Sequence, residues 1–206
     1  MLARLDAVVA RDGDGTDAGD VFDVMEAAAG EDGGLRRLVA NHRAGGSPGV
    51  LQTLTFLLAR AAELEATAAE AAALVWDTLA GLRSGDPWAR ANLCTALGYL
   101  RMNDALGPAE GAPWPALWSF LAEGLDGPWM IQEAVSVVLP ELARTGFLGR
   151  ATPDECTHML GQLDRLMDDA TGYKRQDLVD ARDAIAALGG PSGGGTPDPR
   201  GGTLPP

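Results

Sequence analysis

The sequence predicts an all-α protein: a right-handed stack of about four antiparallel helix pairs, followed by a disordered C-terminal tail. Two observations predict this class. Apolar residues recur at three- and four-residue spacing in almost every segment before the tail, which is typical of amphipathic helices. A pattern of two helices also repeats about every 40 residues. Because no segment alternates strictly between apolar and polar residues, we expect no strand.

Gly and Pro breaks divide the periodic part of the chain into a series of predicted helices. One apolar stripe consists of Leu93, Ala96, Leu97 and Leu100, which share a face at helical spacing. The predicted ranges are 2–11, 19–29, 33–43, 48–63, 66–83, 87–105, 114–124, 128–145, 153–169 and 174–188. Pro140 removes one backbone hydrogen bond inside its helix, so we expect a kink near residues 136–140.

The repetition is clearest between residues 74–100 and residues 116–142. In each copy a Trp opens an apolar stripe, a Gly/Asp turn follows, and a Pro-Trp pair begins a second helix. The corresponding tryptophans are Trp76 and Trp118, 42 residues apart, and Trp88 and Trp129, 41 residues apart. Both pairs therefore indicate one structural unit that occurs at least twice.

The two copies differ in how the second helix is expected to be capped. In the first copy Asp86 precedes Pro87, so its carboxylate is expected to accept a hydrogen bond from the first turn of the helix. In the second copy Gly127 precedes Pro128, so we expect a weaker cap there.

The segment "DPWARANLCTALGYL", residues 86–100, resembles a HEAT repeat. In that family an Asp-Pro turn leads into a helix with an Arg near its start and Ala-Leu-Gly near its end. The resemblance covers about residues 20–188 and is best in residues 74–142. It implies a HEAT-like α-solenoid, in which stacked pairs bury their apolar stripes against each other and the second helices line a concave surface.

Composition divides the chain into one domain and a tail. Residues 189–206 contain 12 Gly or Pro among 18 residues, and Leu204 is their one large apolar side chain. Such a segment buries too little surface to offset its ordering entropy. We therefore expect a single helical domain over residues 1–188 and a disordered tail over residues 189–206.

The chain is strongly acidic. It has 29 acidic and 16 basic side chains, a formal net charge of −13, and residues 1–33 alone contribute −7. Phosphate-rich partners would be repelled at long range, so the charge argues against a nucleic-acid binder or an anionic-membrane binder. It favours a protein partner with a basic face.

Cysteine content and the apolar segments predict the compartment. Two cysteines cannot build a disulfide framework, which favours a reduced, intracellular environment. The N-terminal segment lacks the uninterrupted apolar run of a secretory signal, and no apolar run is long enough to cross a bilayer. We expect a cytoplasmic protein that does not enter the membrane.

The string "DGDGTD", residues 12–17, is the most suggestive chemical motif. As a calcium loop it would use Asp12, Asp14, Asp20 and Asp23, but the sixth position is Asp17 where the loop needs Gly. The letters also resemble the nucleophile motif of haloacid-dehalogenase phosphatases, which requires a parallel sheet. We interpret the string as an acidic turn, with weak cation binding as the alternative, and we predict no catalytic residue, metal or cofactor.

Three tryptophans are candidates for partner binding. Trp114 lies between Pro113 and Pro115, where it would either anchor a partner or fasten its loop to the next helix. Trp88 and Trp129 lie in the first turns of second helices, where they would either pack on the neighbouring repeat or border the concave face.

Polar residues on second helices complete the candidate set: Arg90, Arg101, Gln132 and Glu133, together with Arg175 and Asp177. They lie beside the apolar stripes, so two interpretations are open. They either line the concave groove or form a polar ladder between repeats that fixes the stacking.

The absence of a catalytic motif and the repeats together predict a non-catalytic protein-interaction module or scaffold that binds through its concave face. An antitoxin or immunity-type inhibitor of a basic partner is one form of this function. A purely structural subunit of a larger assembly is another interpretation, and oligomeric state distinguishes it.

The alternative is enzymatic. The string "PWMIQEAVSVVL" is similar to the Trp-x-x-Gln-Glu stretch of HEAT-like DNA alkylation-repair glycosylases, with Trp129, Gln132 and Glu133 as the matching residues. That family holds DNA in a basic groove, whereas this chain has 15 basic and 28 acidic side chains before its tail. The charge therefore makes nucleic acid a poor partner.

Overall fold

The computed structural model describes residues 18–43, 48–82 and 86–189. Within these ranges the chain forms α-helices, one short 3-10 turn and no strand, which confirms the all-α prediction. The helices are α1 (Ala18–Ala29), α2 (Gly34–Arg43), α3 (Pro48–Glu63), α4 (Glu65–Gly81), α5 (Pro87–Met102), α6 (Trp114–Leu125), α7 (Trp129–Arg144), α8 (Pro153–Asp169) and α9 (Gly172–Gly189). The 3-10 turn, Ala109–Gly111, precedes α6.

The helix positions predicted from the sequence are confirmed to within three residues at each end. The largest difference is at the end of α5, which stops at Met102 rather than at residue 105 because Asp104 takes a positive φ of 53°. The predicted helix 2–11 lies outside the described residues. So does the predicted tail, apart from Gly189, which is the last residue of α9.

The predicted difference in capping between α5 and α7 is confirmed. The carboxylate of Asp86 accepts a hydrogen bond from the Ala89 amide at 2.8 Å, and Pro87 is the first residue of α5. Before α7, Pro128 offers no side-chain cap. The amide of Gln132 instead donates to the carbonyls of Leu125 and Gly127, at 3.2 and 2.8 Å. The turn between α6 and α7 therefore depends on a side chain from the helix that follows it.

The helices pack in two rows. In the odd row, α3 contacts α5, α5 contacts α7, and α7 contacts α9. In the even row, α2 contacts α4, α4 contacts α6, and α6 contacts α8. Helix α1 packs on α2 and α3. Every odd-row helix from α5 to α9 also contacts the even-row helix that precedes it, so the apolar stripes face a shared core between the rows.

Two tryptophans belong to this core, as their stripe positions predict. Trp118 is buried, at 7% exposure. Trp76 is half-buried and packs against the core: its ring stacks on Phe147 with 5.6 Å between centroids, and its indole N–H donates to the carbonyl of Leu106 at 3.1 Å. The polar indole N–H therefore has a partner at the edge of the apolar region.

Several side-chain contacts between neighbouring helices of one row join residues about 40 positions apart. Asn92 on α5 donates to the carbonyl of Gln52 on α3, and Gln162 on α8 donates to that of Ala122 on α6; each pair is separated by 40 positions. Other contacts at 39–41 positions are those of Asn103 with Ala62, Arg165 with Asp126, Arg101 with Glu141 and Lys174 with Glu133. These separations are close to the spacing of the paired tryptophans.

Helix α7 continues through Pro140, which is buried. The proline therefore does not end the helix, and the kink near residues 136–140 stays a prediction. As for membranes, none of the helices in the described ranges combines the length and the apolar character that a bilayer span requires.

Candidate functional site

An apolar groove lies between α5 and α7, and we call it the α5–α7 groove. Its volume is about 800 Å³. Both walls are helix faces at three- and four-residue spacing, so regular helix geometry alone aligns their side chains along one channel. The α5 wall consists of Ala91, Cys94, Thr95, Gly98, Tyr99, Arg101 and Met102, and the α7 wall of Trp129, Met130, Glu133, Ala134, Val137, Val138 and Glu141.

Small residues make the floor of the groove deep, and large apolar residues form its rim. A Cβ built on Gly98 would meet nothing within 4 Å, so the glycine opens space. The rim residues Met102, Trp129 and Val137 are 78%, 64% and 55% exposed. Large apolar side chains that remain this exposed side by side are typical of a surface that another molecule covers.

Each end of the groove carries an ion pair between two helices of the odd row. Arg101 Nε lies 3.6 Å from Glu141 Oε2, and Lys174 Nζ of α9 lies 3.2 Å from Glu133 Oε2. Arg101 Nε and Glu133 Oε2 are both inaccessible to solvent, and neither has a hydrogen bond from the described residues. The ion pairs therefore neutralise charge at these two atoms but leave one donor and one acceptor unsatisfied.

Trp129 separates the groove from a second cavity of about 350 Å³, which lies between α7 and the α8–α9 pair. Its lining includes Glu133, Asp169 and Lys174. The Lys174 ammonium stands over the Trp129 ring, 4.5 Å from the centroid, in the geometry of a cation–π contact. One tryptophan face and one carboxylate thus hold a cation at the border of the groove.

The surroundings of the groove are acidic. A third cavity, of about 130 Å³, adjoins the groove at Val137 and Glu141 and includes Asp177 and Asp180. The three cavities are lined by five carboxylates and three cations, a net charge of −2. In the described part of the chain, Asp169 and Asp177 have no ion pair, whereas each of the three cations has one.

Of the candidates from the sequence, Trp129, Arg101 and Glu133 line the α5–α7 groove. Trp88 is 56% exposed in the first turn of α5, outside the residues that line the groove. Trp114 is half-buried, and its ring lies 5.4 Å from that of Trp118 at a tilt of 38°. The contact fastens the start of α6 to the core, which agrees with the second interpretation of Trp114.

Arg90 and Gln132 do not line the α5–α7 groove, and Gln132 lines the second cavity instead. Arg90 is 8% exposed; it donates to the carbonyl of Phe120 at 3.2 Å and to Glu123 at 2.5 Å. Gln132 donates to the α6–α7 turn as described above. Arg90 thus joins α5 to α6, and Gln132 joins α7 to the end of α6 and the turn that follows it. These contacts agree with the polar-ladder interpretation.

The sequence did not single out several apolar residues of the groove, above all Met102, Met130 and Val137. A signal for them existed. Met130, Ala134 and Val137 follow one another at helical spacing beside the buried stripe of α7, so this helix is apolar over more of its circumference than one core contact requires.

Neither of the two cysteines is an activated nucleophile. Burial raises the pKa of the Cys94 thiol to about 12, although the positive charge of Arg90 acts in the opposite direction. Burial also raises the pKa of Cys156. Since thiolates are the nucleophilic and metal-binding form, both thiols are held in their unreactive form at neutral pH.

The weak metal candidates are only partly within the described residues. Asp12 and Asp14 lie outside them, and so does the side chain of Asp20; Asp23 is exposed on α1. Among the described residues, no three His, Cys, Asp or Glu side chains cluster closely enough to hold a metal ion.

No protein-family model matches the chain, and no curated protein and no solved structure matches it either.

Proposed function

We propose that this protein is a non-catalytic protein-interaction module, a HEAT-like right-handed stack of helix pairs that presents the α5–α7 groove to a protein partner. The observation that carries the proposal is the exposed apolar rim of Met102, Trp129 and Val137 around a groove of about 800 Å³. Tryptophan and methionine are enriched at protein interfaces, and methionine adapts its shape to different partners.

The contacts between successive helices within each row support the repeat stack. Odd-row helices contact one another in succession, even-row helices do the same, and several of their side-chain contacts join residues about 40 positions apart. In a solenoid each repeat contacts its neighbours at equivalent positions, so contacts separated by one period are expected. The groove lies between two second helices, α5 and α7, which line the concave face in this family.

The contacts of two residues favour binding over the glycosylase alternative. The side-chain amide of Gln132 donates hydrogen bonds to main-chain carbonyls at the end of α6 and in the α6–α7 turn, and the Glu133 carboxylate forms an ion pair with Lys174. Both groups are therefore engaged in contacts within the protein. The net charge of −2 around the groove also opposes a DNA backbone, because nucleic-acid binding depends on cations that replace counterions.

The dimensions of the groove suit a helix of the partner. Its α5 wall extends from Ala91 to Met102, which is about 16 Å at the helical rise of 1.5 Å per residue. Three turns of an amphipathic helix have this length, and helix-in-groove binding uses apolar anchors at successive turns.

A selection from a displayed library of random peptides of about 16 residues, with the purified full chain as bait, tests this proposal. The affinity of the enriched peptides is then measured for the Val137→Arg variant. The new arginine is four residues from both Glu133 and Glu141, so it can form favourable i,i+4 pairs and the helix should remain stable. Leu64→Arg is the matched control, because Leu64 is 60% exposed and does not line the groove.

We expect the enriched peptides to bind Val137→Arg at least about tenfold more weakly than wild type, a loss of about 1.4 kcal/mol, and to bind Leu64→Arg as they bind wild type. Peptides that do not distinguish the two variants would contradict the proposal, as would a selection without any enriched peptide.

A further inference from the structure

We infer that the partner segment in the α5–α7 groove is a basic amphipathic helix, and that one of its Arg or Lys side chains replaces Lys174 over Trp129 and against Glu133. The inference rests on the proposed function and specifies the chemistry of the partner. Three observations carry it: a cation site that the chain fills itself, an unsatisfied carboxylate oxygen inside that site, and an excess of negative charge around it.

The first observation is the site that Lys174 occupies. Its ammonium lies 4.5 Å from the centroid of the exposed Trp129 ring and 3.2 Å from Glu133 Oε2. An aromatic face beside a carboxylate is a general site for a cationic side chain. The position of Lys174 therefore shows that this border of the groove can bind a cationic side chain.

Lys174 is also easily displaced. Its side chain is 43% exposed on a flexible stem, and it lies in the first turn of α9, whose N-terminus begins at Gly172. The helix dipole disfavours a positive charge at a helix N-terminus. A basic side chain of a partner would carry no such penalty, so the exchange favours the partner.

The second observation is the unsatisfied Oε2 atom of Glu133. It is inaccessible to solvent and accepts no hydrogen bond from the described residues, although the ammonium of Lys174 is near. An arginine presents five N–H donors in a planar fork and can donate to a carboxylate while it stacks on a tryptophan. A partner guanidinium would therefore satisfy an acceptor that Lys174 leaves unsatisfied.

The third observation is the excess of negative charge around the groove. Five carboxylates and three cations line the groove and the two cavities beside it, and Asp169 and Asp177 have no ion pair in the described part of the chain. The whole chain carries a formal charge of −13. An acidic or phosphorylated helix would be repelled, whereas a basic helix is attracted both at long range and at contact.

The geometry also predicts the spacing of the partner's residues. Trp129 and Val137 are eight residues apart on α7, which is about 12 Å along the helix axis. A partner helix that lies along the groove would cover Val137 with an apolar residue and Trp129 with a basic residue two turns away. We expect apolar residues at i and i+4 and Arg or Lys at i+7 or i+8.

A defined helical library tests the inference. Four leucines are fixed on one face, the remaining positions are randomised among Arg, Lys, Glu, Gln and Ser, and the full chain is the bait. We expect groove-dependent peptides enriched in Arg or Lys two turns from the leucine anchor. Replacing that residue with Gln in a synthetic peptide should weaken binding to wild type about threefold to tenfold.

Lys174→Met provides the second measurement, with Arg182→Met as its matched control. Both remove one positive charge from α9, but Arg182 pairs with Asp164 of α8, away from the groove. We expect Lys174→Met to bind the basic peptide about threefold more tightly than Arg182→Met does, and to leave the Gln peptide unchanged. Equal or weaker binding to Lys174→Met would overturn the inference.

The remaining outcomes separate the inference from the proposed function. Groove-dependent peptides without a preference for basic residues would overturn the inference and leave the proposed function standing. The absence of groove-dependent peptides from both libraries would overturn both. The inference would also fail if Val137→Arg converted a dimer to a monomer, or released a bound fatty acid in native mass spectrometry, because a second copy or a lipid would then be the occupant.

Discussion

Arg90 allows the packing between α5 and α6 to be tested by one substitution. Arg90→Met removes the guanidinium but keeps a long apolar side chain. The guanidinium donates to the carbonyl of Phe120 at 3.2 Å, donates to Glu123 at 2.5 Å, and lies 5.5 Å from the centroid of the Phe120 ring. At 8% exposure, the side chain has little access to water that would replace these contacts.

The expected effect follows from these contacts. A hydrogen bond from a charged donor contributes about 1.5–3 kcal/mol, and the ring contact adds about 0.5–1 kcal/mol. The apolar packing of methionine offsets part of the loss. We therefore expect the free energy of unfolding to fall by about 2–3 kcal/mol, which corresponds to a decrease in Tm of roughly 4–12 °C for a domain of this size.

Glu123→Gln serves as the comparison. The Glu123 side chain is 61% exposed, so water replaces much of what its pair with Arg90 contributes. We expect this variant to lose less than about 1 kcal/mol. Urea unfolding followed by far-UV circular dichroism measures both variants. The reasoning is refuted if Arg90→Met stays within about 0.5 kcal/mol of wild type, or if Glu123→Gln loses as much as Arg90→Met does.

Three further predictions concern stability and pH. A Cβ on Gly124 would lie 2.7 Å from Val135 Cγ2, so Gly124→Ala should lower the free energy of unfolding by about 1–2 kcal/mol. A Cβ on Gly161 would meet no atom within 4 Å, so Gly161→Ala should raise the free energy of unfolding by about 0.5–1 kcal/mol. Equal effects of the two variants in urea unfolding would contradict this. Thr152 and Glu155 form a reciprocal cap at the start of α8, so Thr152→Ala should lower the free energy of unfolding by about 1 kcal/mol. Thr152→Ser keeps the hydroxyl and should retain most of the stability. Thermal unfolding measures both variants, and an equal loss of stability in the two would contradict the cap. Burial raises the pKa of Cys94 from 9.0 to about 12, so its stabilising contribution is complete below about pH 9 and is lost as the pH rises toward 12. The difference in the free energy of unfolding between wild type and Cys94→Ala should therefore narrow over this pH range in urea unfolding. A constant difference would show that burial does not raise the pKa of the Cys94 thiol.

Much of the fold could be predicted from the sequence because its signals are local. The apolar spacing and the Gly and Pro breaks gave helix ends within three residues of those in the structure. The cap at Asp86 could be predicted from two adjacent residues, because a capping carboxylate and a proline at the first helical position act within one turn. Several contacts join residues about 40 positions apart, which is close to the 41 and 42 residues between the paired tryptophans.

The candidate site was less predictable, and Arg90 and Arg101 show the physical reason. They are eleven residues apart on α5, so they point in nearly the same direction, about 20° apart at 100° per residue. Arg90 is nevertheless buried under α6, whereas Arg101 lines the groove beside α7. Helical periodicity gives the direction of a side chain but not the helix that it meets.

The sequence by itself determined the helices of the described ranges and their order, because backbone hydrogen bonding and amphipathic periodicity depend on neighbours within a few positions. Only the tertiary structure decided which tryptophan is packed and which is exposed: Trp114 lies against Trp118, whereas Trp129 stands under the ammonium of Lys174. It also brought Met102 and Val137 to one rim. The burial of a side chain such as Arg90 depends on residues 30 or more positions away, and no local pattern records whether a neighbouring helix covers a side chain or leaves it open to a partner.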